Sequence, residues 1–429
     1  MIQDWALPPG FTPAARTVAE RDGIAWGAAR WTPAELEALA RRLVAGGAAL
    51  RLVPRHRLEA AWGETVAAFL DPRSPERQAL DPPLVRLSRL SPPGLAAGLE
   101  AVLGGVSGEP ARRLFAQAPA APPPPGLVVV VLASNLPALA VQSLLPALAL
   151  RRPLLLKSPT AEPLFTPAFV RSLTGREPTL AETVAAVSWP GGDEALERPV
   201  LAAAARVLAY GAAETLEDLE RRAPGKLVAY GPKASLAVVG RDADGRQAAS
   251  GLARDVALFD QRGCLSVQAV YTDGDAAALA DELATALALA ATDLPPGPLD
   301  PVAAALVQQL RAEADLRGLH RPDLPFAAGT VVVEPEPAFR PSPGLRAVRV
   351  HRLPALSDLL PHLSAWQGLL QGAALAGDSA WALAEGLEDL GLSRLAAPGE
   401  LQSAGALWHN GGRHPLTALG GQGGGQGDK

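Results

Sequence analysis

Cys264 is the only thiol in the chain, and it lies in the segment DQRGCLS between a helical pattern and an apolar strand pattern. A cysteine at such a junction can act as a covalent nucleophile through its thiolate. Gly263 before it lets a substrate or cofactor approach the backbone, and Arg262 offers a cation that stabilises a thiolate. By itself a single cysteine is more often a small buried hydrophobe. Asn135, in LASNLPA, follows an apolar strand pattern; its amide can donate to a carbonyl oxygen that gains negative charge, although turn and cap roles are commoner for asparagine. Lys157, in LLLKSPTAEP, ends the next strand pattern, where an amine reaches ribose hydroxyls or phosphate. Surface lysines lie along strands for simpler reasons. Ser158 and Pro159 read as the start of a helix. Gly211, in VLAYGAAETLEDL, sits at a strand-to-helix turn suited to close approach of a pyrophosphate.

Several other chemistries lack their signatures. There is no G-x-G-x-x-G, no P-loop, no H-E-x-x-H and no G-x-S-x-G. His409 and His414, in WHNGGRH, have no cysteine or carboxylate close by in sequence, which argues against zinc.

The elements that must position these residues follow from periodicity. TPAELEALARRLVAGG reads as a helix with Thr32 as N-cap, Pro33 in the first turn and Glu35 completing a capping box. Leu36, Leu39, Ala40 and Leu43 form its apolar stripe. The tract APAAPPPPG (118–126) reads as a stiff linker. Beyond it, strand patterns at 127–132, 153–157, 184–189, 206–210, 226–230 and 235–239 alternate with helical patterns at 137–150, 163–173 and 214–223. That alternation predicts a parallel sheet covered on both faces, with ligands at the carboxyl ends of its strands. A helix from about 245 is expected to end near 261–263, before a strand at 265–272. A second α/β region, with strands at 330–333 and 347–350, runs to about 405. The tail GGQGGGQGDK reads as disordered.

Composition narrows the classes. The 429 residues are 48% hydrophobic and 19% charged, enough for sizeable cores. A net charge of -5 gives no case for nucleic acid or an anionic membrane surface. The most apolar stretch, 126–150, is long enough to span a bilayer, but Ser134, Asn135, Pro137, Gln142 and Pro146 interrupt it. It reads as strand, turn and helix, not as a membrane span. The N-terminus carries no signal-peptide pattern, and one cysteine permits no intrachain disulfide, so a cytoplasmic protein is expected. The chain holds 35 arginines against 4 lysines, and only 2 asparagines. A lysine, asparagine or cysteine kept against that bias suggests chemistry that arginine, serine or alanine cannot supply.

The order of these signals resembles the aldehyde dehydrogenase superfamily: an asparagine after the first strand, Lys-Ser-Pro after the second, a glycine turn after a later strand, then a cysteine opening a new domain. DQRGCLS, VLAYGAAETL and the closing WHNGGRHPLTAL are most similar to the LuxC-like acyl-CoA reductases, over roughly residues 120–420. The resemblance implies an α/β fold of two doubly wound domains with an N-terminal helical or mixed extension. It divides the chain into 1–120, packing on the cofactor domain; 121–258, binding a nicotinamide dinucleotide; 259–405, carrying the nucleophile; and 406–429, a closing segment and tail. It makes Cys264 the nucleophile and Asn135 the oxyanion donor, together with the backbone N–H of Cys264. Lys157, with Ser158 and Thr160, would hold the adenosine ribose or its 2′-phosphate, and Gly211 and Ala212 would lie under the cofactor phosphates.

Two departures from hydrolytic relatives shape the expected reaction. Where those place a general-base glutamate, this chain has AYGPKAS (229–235), with no carboxylate to activate water. Where NAD-selective members place a glutamate, this chain has Thr160, which points to NADPH, with NADH as the alternative. Asn410 stands where relatives often show aspartate, leaving the role of WHNGGRH open. The resemblance thus implies reduction of a long-chain acyl-CoA, or an acyl group on a donor protein, to an aldehyde. A dimer or tetramer is expected, with no nucleic acid, metal or membrane partner. Two alternatives stand beside it: an acyl-phosphate reductase like those acting on γ-glutamyl phosphate, and an inactive partner-binding relative.

Overall fold

The computed structural model describes residues 1–121, 124, 126–134 and 136–420; Asn135, Pro122, Pro123 and Pro125 of the linker tract, and the Gly-rich tail from 421 lie outside the described residues. An antiparallel hairpin of β1 (Ala15–Arg21) and β2 (Ile24–Arg30) comes first. Its turn is Asp22–Gly23, both left-handed, the backbone that matches strand twist in a two-residue loop. Five helices follow: α1 (Pro33–Leu52), α2 (Arg55–Leu70), α3 (Pro75–Ser88), α4 (Pro92–Gly105) and α5 (Gly108–Gln117). The predicted capping box opens α1: Thr32 Oγ1 accepts from Glu35 N at 3.3 Å, and Glu35 Oε2 accepts from Thr32 N at 2.8 Å. Leu36, Leu39, Ala40 and Leu43 are all fully buried.

The first sheet has five parallel strands: β3 (Leu127–Val131), β4 (Leu154–Ser158), β5 (Val184–Ser188), β6 (Ala204–Tyr210) and β7 (Leu227–Tyr230), ordered β5-β4-β3-β6-β7. The connecting helices are α6 (Val141–Ala149), α7 (Phe165–Arg176), α8 (Pro178–Ala181), α9 (Glu194–Ala203) and α10 (Ala213–Arg222). β3, LVVVV, is buried along most of its length, as a strand covered on both faces requires. The order reverses between β3 and β6, so a crevice opens beyond their carboxyl ends. Two boundaries differ from the sequence reading. The helix expected from 137 begins at Val141, because Ala138 takes a left-handed φ of 65°. No helix starts at Ser158–Pro159; Ser158 ends β4, and α7 begins at Phe165, where Glu162 Oε1 accepts from the N–H groups of Leu164 and Phe165.

The second sheet has six parallel strands: β8 (Ala234–Val239), β9 (Val267–Thr272), β10 (Thr330–Glu334), β11 (Ala347–Arg352), β12 (Leu370–Ala376) and β13 (Arg394–Ala396), ordered β10-β11-β9-β8-β12-β13. Its helices are α11 (Gly245–Ala257), α12 (Ala276–Asp293), α13 (Pro301–Leu316), α14 (Leu359–Leu363), α15 (Asp378–Trp381) and α16 (Ala384–Asp389), while the closing α17 (Pro415–Ala418) returns to pack on α6 of the first sheet. β8 belongs to this sheet, so the changeover between sheets falls at residues 231–233 and not at 258. The three-residue link sets the carboxyl end of β7 against the amino end of β8. Among the described residues, no helix is long and apolar enough to cross a membrane.

The helix expected to run to 261–263 ends at Ala257. A single 3-10 turn, Leu258–Gln261, follows, with left-handed φ at Phe259, Asp260 and Gln261. Non-glycine residues pay about 1–2 kcal/mol each for that conformation, so tertiary contacts must impose it. Arg346, 2% exposed, pairs with Asp260 at 2.6 Å. The Gln261 amide donates to Val267 O at 2.8 Å and Ala347 O at 2.7 Å. On the other side, Gly98 of α4 gives room to the Phe259 ring, with which any Cβ would collide.

Candidate active site

Cys264 stands just after this strained turn and before β9, at the amino edge of the second sheet. A local net fixes its backbone. Gly263 N donates to Ser266 Oγ at 3.2 Å, Ser266 N donates to Gly263 O at 3.0 Å, and Ser235 Oγ donates to Cys264 O at 2.8 Å. The Gln402 amide ties the loop to the closing segment, donating to Ser266 Oγ at 2.9 Å and Asp255 O at 2.7 Å. Gly263 is explained by this packing: a Cβ there would stand 2.8 Å from Gln402 Oε1.

The thiol is deep but partly open, and it lines a cavity of about 630 Å³ between the two sheets. Tyr210 and Tyr230, in register at the ends of β6 and β7, stack at 4.7 Å on the first-sheet side. Gln268 and Gln371 face it from the second sheet, and Val102, Leu136, Leu139, Phe259 and Trp408 supply apolar wall. The described residues lining this cavity include three cations, Lys233, Arg262 and Arg413, and no aspartate, glutamate or histidine. The stretch 229–233, noted for its missing carboxylate, forms part of the wall.

Burial pushes the Cys264 thiol up to about 11, while the N–H groups of Cys264 and Leu265 and the Lys233 ammonium pull it back. The cation acting on the sulfur is therefore Lys233. Arg262, expected in that role, is turned to backbone: Nη1 donates to Ser88 O at 2.7 Å and Nε to Phe259 O at 3.0 Å. Lys233 itself donates to Gly368 O. Nothing in the local sequence singled out Lys233 beyond its rarity among 35 arginines.

A second recess, about 490 Å³, shares Ala133, Ser134, Tyr210 and Gly211 with the first. It lies at the β3/β6 switch point and is lined by Lys157, Thr160, Gly191, Gly192, Glu197 and Arg222, among others. Lys157 is 5% exposed, and its ammonium has no hydrogen-bond acceptor among the described residues. Burial holds its pKa below the ordinary lysine range, and Glu197 opposes that shift. Glu197 and Asp218 are both committed to Arg222, at 2.6 and 2.5 Å. Ala212 precedes helix α10 as its N-cap and supplies no side-chain hydrogen bond, so the first N–H groups are left for an external acceptor. A buried, unpaired ammonium and an open helix N-terminus in one recess fit a dinucleotide phosphate and ribose.

The structure thus gathers Cys264, Gly211 and Ala212 on one cavity and Lys157, Thr160 and Gly211 on the adjoining recess. Ser158 is fully buried in β4 with an unpartnered hydroxyl, and it lines neither space. Asn135 falls outside the described residues, although Ser134 and Leu136 beside it line the thiol's cavity. The closing WHNGGRH reaches the same cavity through Trp408, Asn410, Gly411 and Arg413.

A family model described as acyl-CoA reductase (LuxC) matches residues 118–421. The chain belongs to the acyl-CoA reductase (LuxC) family. It is an oxidoreductase enzyme. No curated protein sequence matches it. Solved structures with the same fold include an NADP-dependent enzyme from E. coli, TM-score 0.74 at 13% identity, covering 92% of this chain and 90% of that one. Methylmalonate-semialdehyde dehydrogenase from Oceanimonas doudoroffii gives 0.73 at 14%, covering 97% and 95%. Aldehyde dehydrogenase C from Pseudomonas syringae, a mutant complexed with NAD+ and octanal, gives 0.73 at 12%, covering 92% and 89%. This LuxC-family chain therefore has the aldehyde dehydrogenase fold.

Proposed function

We propose that this chain reduces long-chain acyl-CoA to fatty aldehyde, with NADPH as hydride donor and a thioester on Cys264 as intermediate. The observation that carries the reading is a single thiol in a cavity whose described lining holds no acid or histidine, joined through shared walls to a recess holding a lysine with no hydrogen-bond acceptor among the described residues.

The Cys264 sulfur attacks the acyl carbonyl carbon as thiolate. The bond from that carbon to the donor's sulfur breaks, the electron pair leaves on that sulfur, and the proton lost from Cys264 ends there. The N–H groups of Cys264 and Leu265, with Asn135 as proposed companion, are donors for the tetrahedral oxyanion. No carboxylate or histidine among the described residues lines the cavity to activate water, which favours a thioester that lasts until it is reduced. Lys157 and Thr160 would take the ribose and its 2′-phosphate, and Gly211, Ala212 and the open start of α10 the pyrophosphate. A bound nicotinamide would supply a hydride to the acyl carbon, and the bond from that carbon to the Cys264 sulfur would break, the electron pair staying on the sulfur as aldehyde leaves. Two carboxylates of that recess, Glu197 and Asp218, are paired with Arg222, which leaves Lys157 to meet a phosphate. Apolar wall from Val102, Leu136, Leu139, Phe259 and Trp408 suits an acyl chain.

The test is aldehyde formation from tetradecanoyl-CoA and NADPH. Wild type should form it and Cys264→Ala should not, while the variant still binds NADPH. Turnover by Cys264→Ala at the wild-type rate contradicts the reading.

A further inference from the structure

Resting on that proposed acyl transfer, the cations around the thiol call for an explanation. Lys233 and Arg413 come from distant parts of the chain and meet at one cavity wall. The Gly411 backbone packs on the Tyr230 ring, where a Cβ would be 3.8 Å from Cδ1, and this brings the closing motif against the 231–233 link. Burial chiefly lowers the Lys233 pKa, Cys264 opposes that shift, and Arg413 adds a smaller like-charge repulsion. No carboxylate is among the described residues that line the cavity. Arg413 is exposed and its side chain makes no hydrogen bond or ion pair to a described residue. The electrostatic influence runs outward in steps: Lys233 acts on Cys264, and Arg413 acts on Lys233. Two like charges on one cavity, with no carboxylate among its described lining and on a path leading out from the nucleophile, suit an anion delivered with the substrate.

We infer that Lys233 and Arg413 form an anchoring site for the phosphate-bearing leaving arm of the acyl donor. The WHNGGRH segment thereby acquires a role: Asn410, held by Gln371 at 3.2 Å, and Gly411 against Tyr230 present Arg413 to that arm. The phosphate has two chemical sources, a pantetheine arm ending in phosphate or an acyl phosphate.

The test is calorimetric binding of CoA and of pantetheine, which lacks phosphate, to the full chain. CoA should bind about tenfold or more tightly than pantetheine. In Lys233→Met and Arg413→Glu, checked for native near-UV dichroism, that difference should shrink towards zero, and added salt should weaken CoA binding to wild type. Equal binding of the two ligands to wild type overturns the inference, as does an undiminished difference in both variants. Octanoyl phosphate separates the sources. Faster acylation of Cys264 by it than by octanoyl-CoA puts the phosphate on the acyl group itself, and slower acylation puts it on a pantetheine arm. Either result keeps the anchoring site, provided the two variants lose rate with the favoured donor. If CoA binds as described but no donor acylates Cys264, the proposed function falls and the site stands. If acylation occurs while CoA and pantetheine bind alike, the site falls and the function stands.

Discussion

Asp260 and Arg346 form an ion pair at 2.6 Å four residues before the thiol, and Arg346 also donates to Leu294 O at 2.9 Å. The pair fastens a turn whose three left-handed residues would otherwise relax. Arg346→Met leaves the Asp260 carboxylate with little solvent and without its ion-pair partner, holding only the Gly297 N–H at 3.0 Å. We expect a loss of about 3–5 kcal/mol in urea unfolding. The double variant Asp260→Asn/Arg346→Met should lose less than the sum of the single variants. Additive losses would mean that the pair does not hold the turn.

The pH dependence of the nucleophile follows from its surroundings. Burial pushes the thiol to about 11, so the protonated form dominates at neutrality. Alkylation of Cys264 by iodoacetamide should rise roughly tenfold per pH unit from 7 to 9, without a plateau. Lys233→Met should slow alkylation throughout that range, because it removes the cation that favours the thiolate. A plateau below pH 8 would show a thiol activated by some other group.

Lys157→Met should separate cofactor binding from acyl transfer. Removing a charge-assisted bond should weaken NADPH binding by roughly ten- to hundredfold, read from cofactor fluorescence. Acylation of Cys264 without reductant should stay within about twofold of wild type, since Lys157 lines only the adjoining recess. Equal damage to both steps would remove Lys157 from the cofactor role.

Three buried carboxyls should shape stability. Asp4, Glu162 and Asp255 are each raised to about 7, in every case chiefly by burial. Their unfolded values lie near 4, so between about pH 4 and 7 the folded chain binds more protons than the unfolded one. Their contribution is complete below that window and is lost as pH rises through 7. The melting temperature should therefore fall from pH 6 to pH 8, and Asp255→Asn should flatten the slope. A melting temperature that rises over that interval contradicts these shifts.

What could be read from the chain alone was whatever is written locally. Thr32 and Glu35 announce a helix start within four residues, β3 is a continuous apolar run, and β4 opens with three leucines. Cys264 stood out because the sequence has no other thiol. The features missed depend on distant partners. β8 looks like any short apolar strand, and only its pairing with β9 and β12 places it in the second sheet. β12, LQGAALA, is weak in β-branched residues and holds through burial between neighbours. The left-handed turn at 259–261 is imposed by Arg346, some 86 residues on from Asp260. Lys233 and Arg413 lie 180 positions apart in sequence and line one cavity, where Gly411 packs on Tyr230.

The most direct measurement is intact-protein mass spectrometry of the wild-type chain mixed with tetradecanoyl-CoA and no reductant. A single tetradecanoyl adduct on Cys264 that disappears on adding NADPH, with aldehyde released, is the predicted result. An unmodified Cys264 under conditions where NADPH and acyl-CoA still yield aldehyde would contradict covalent catalysis at this sulfur.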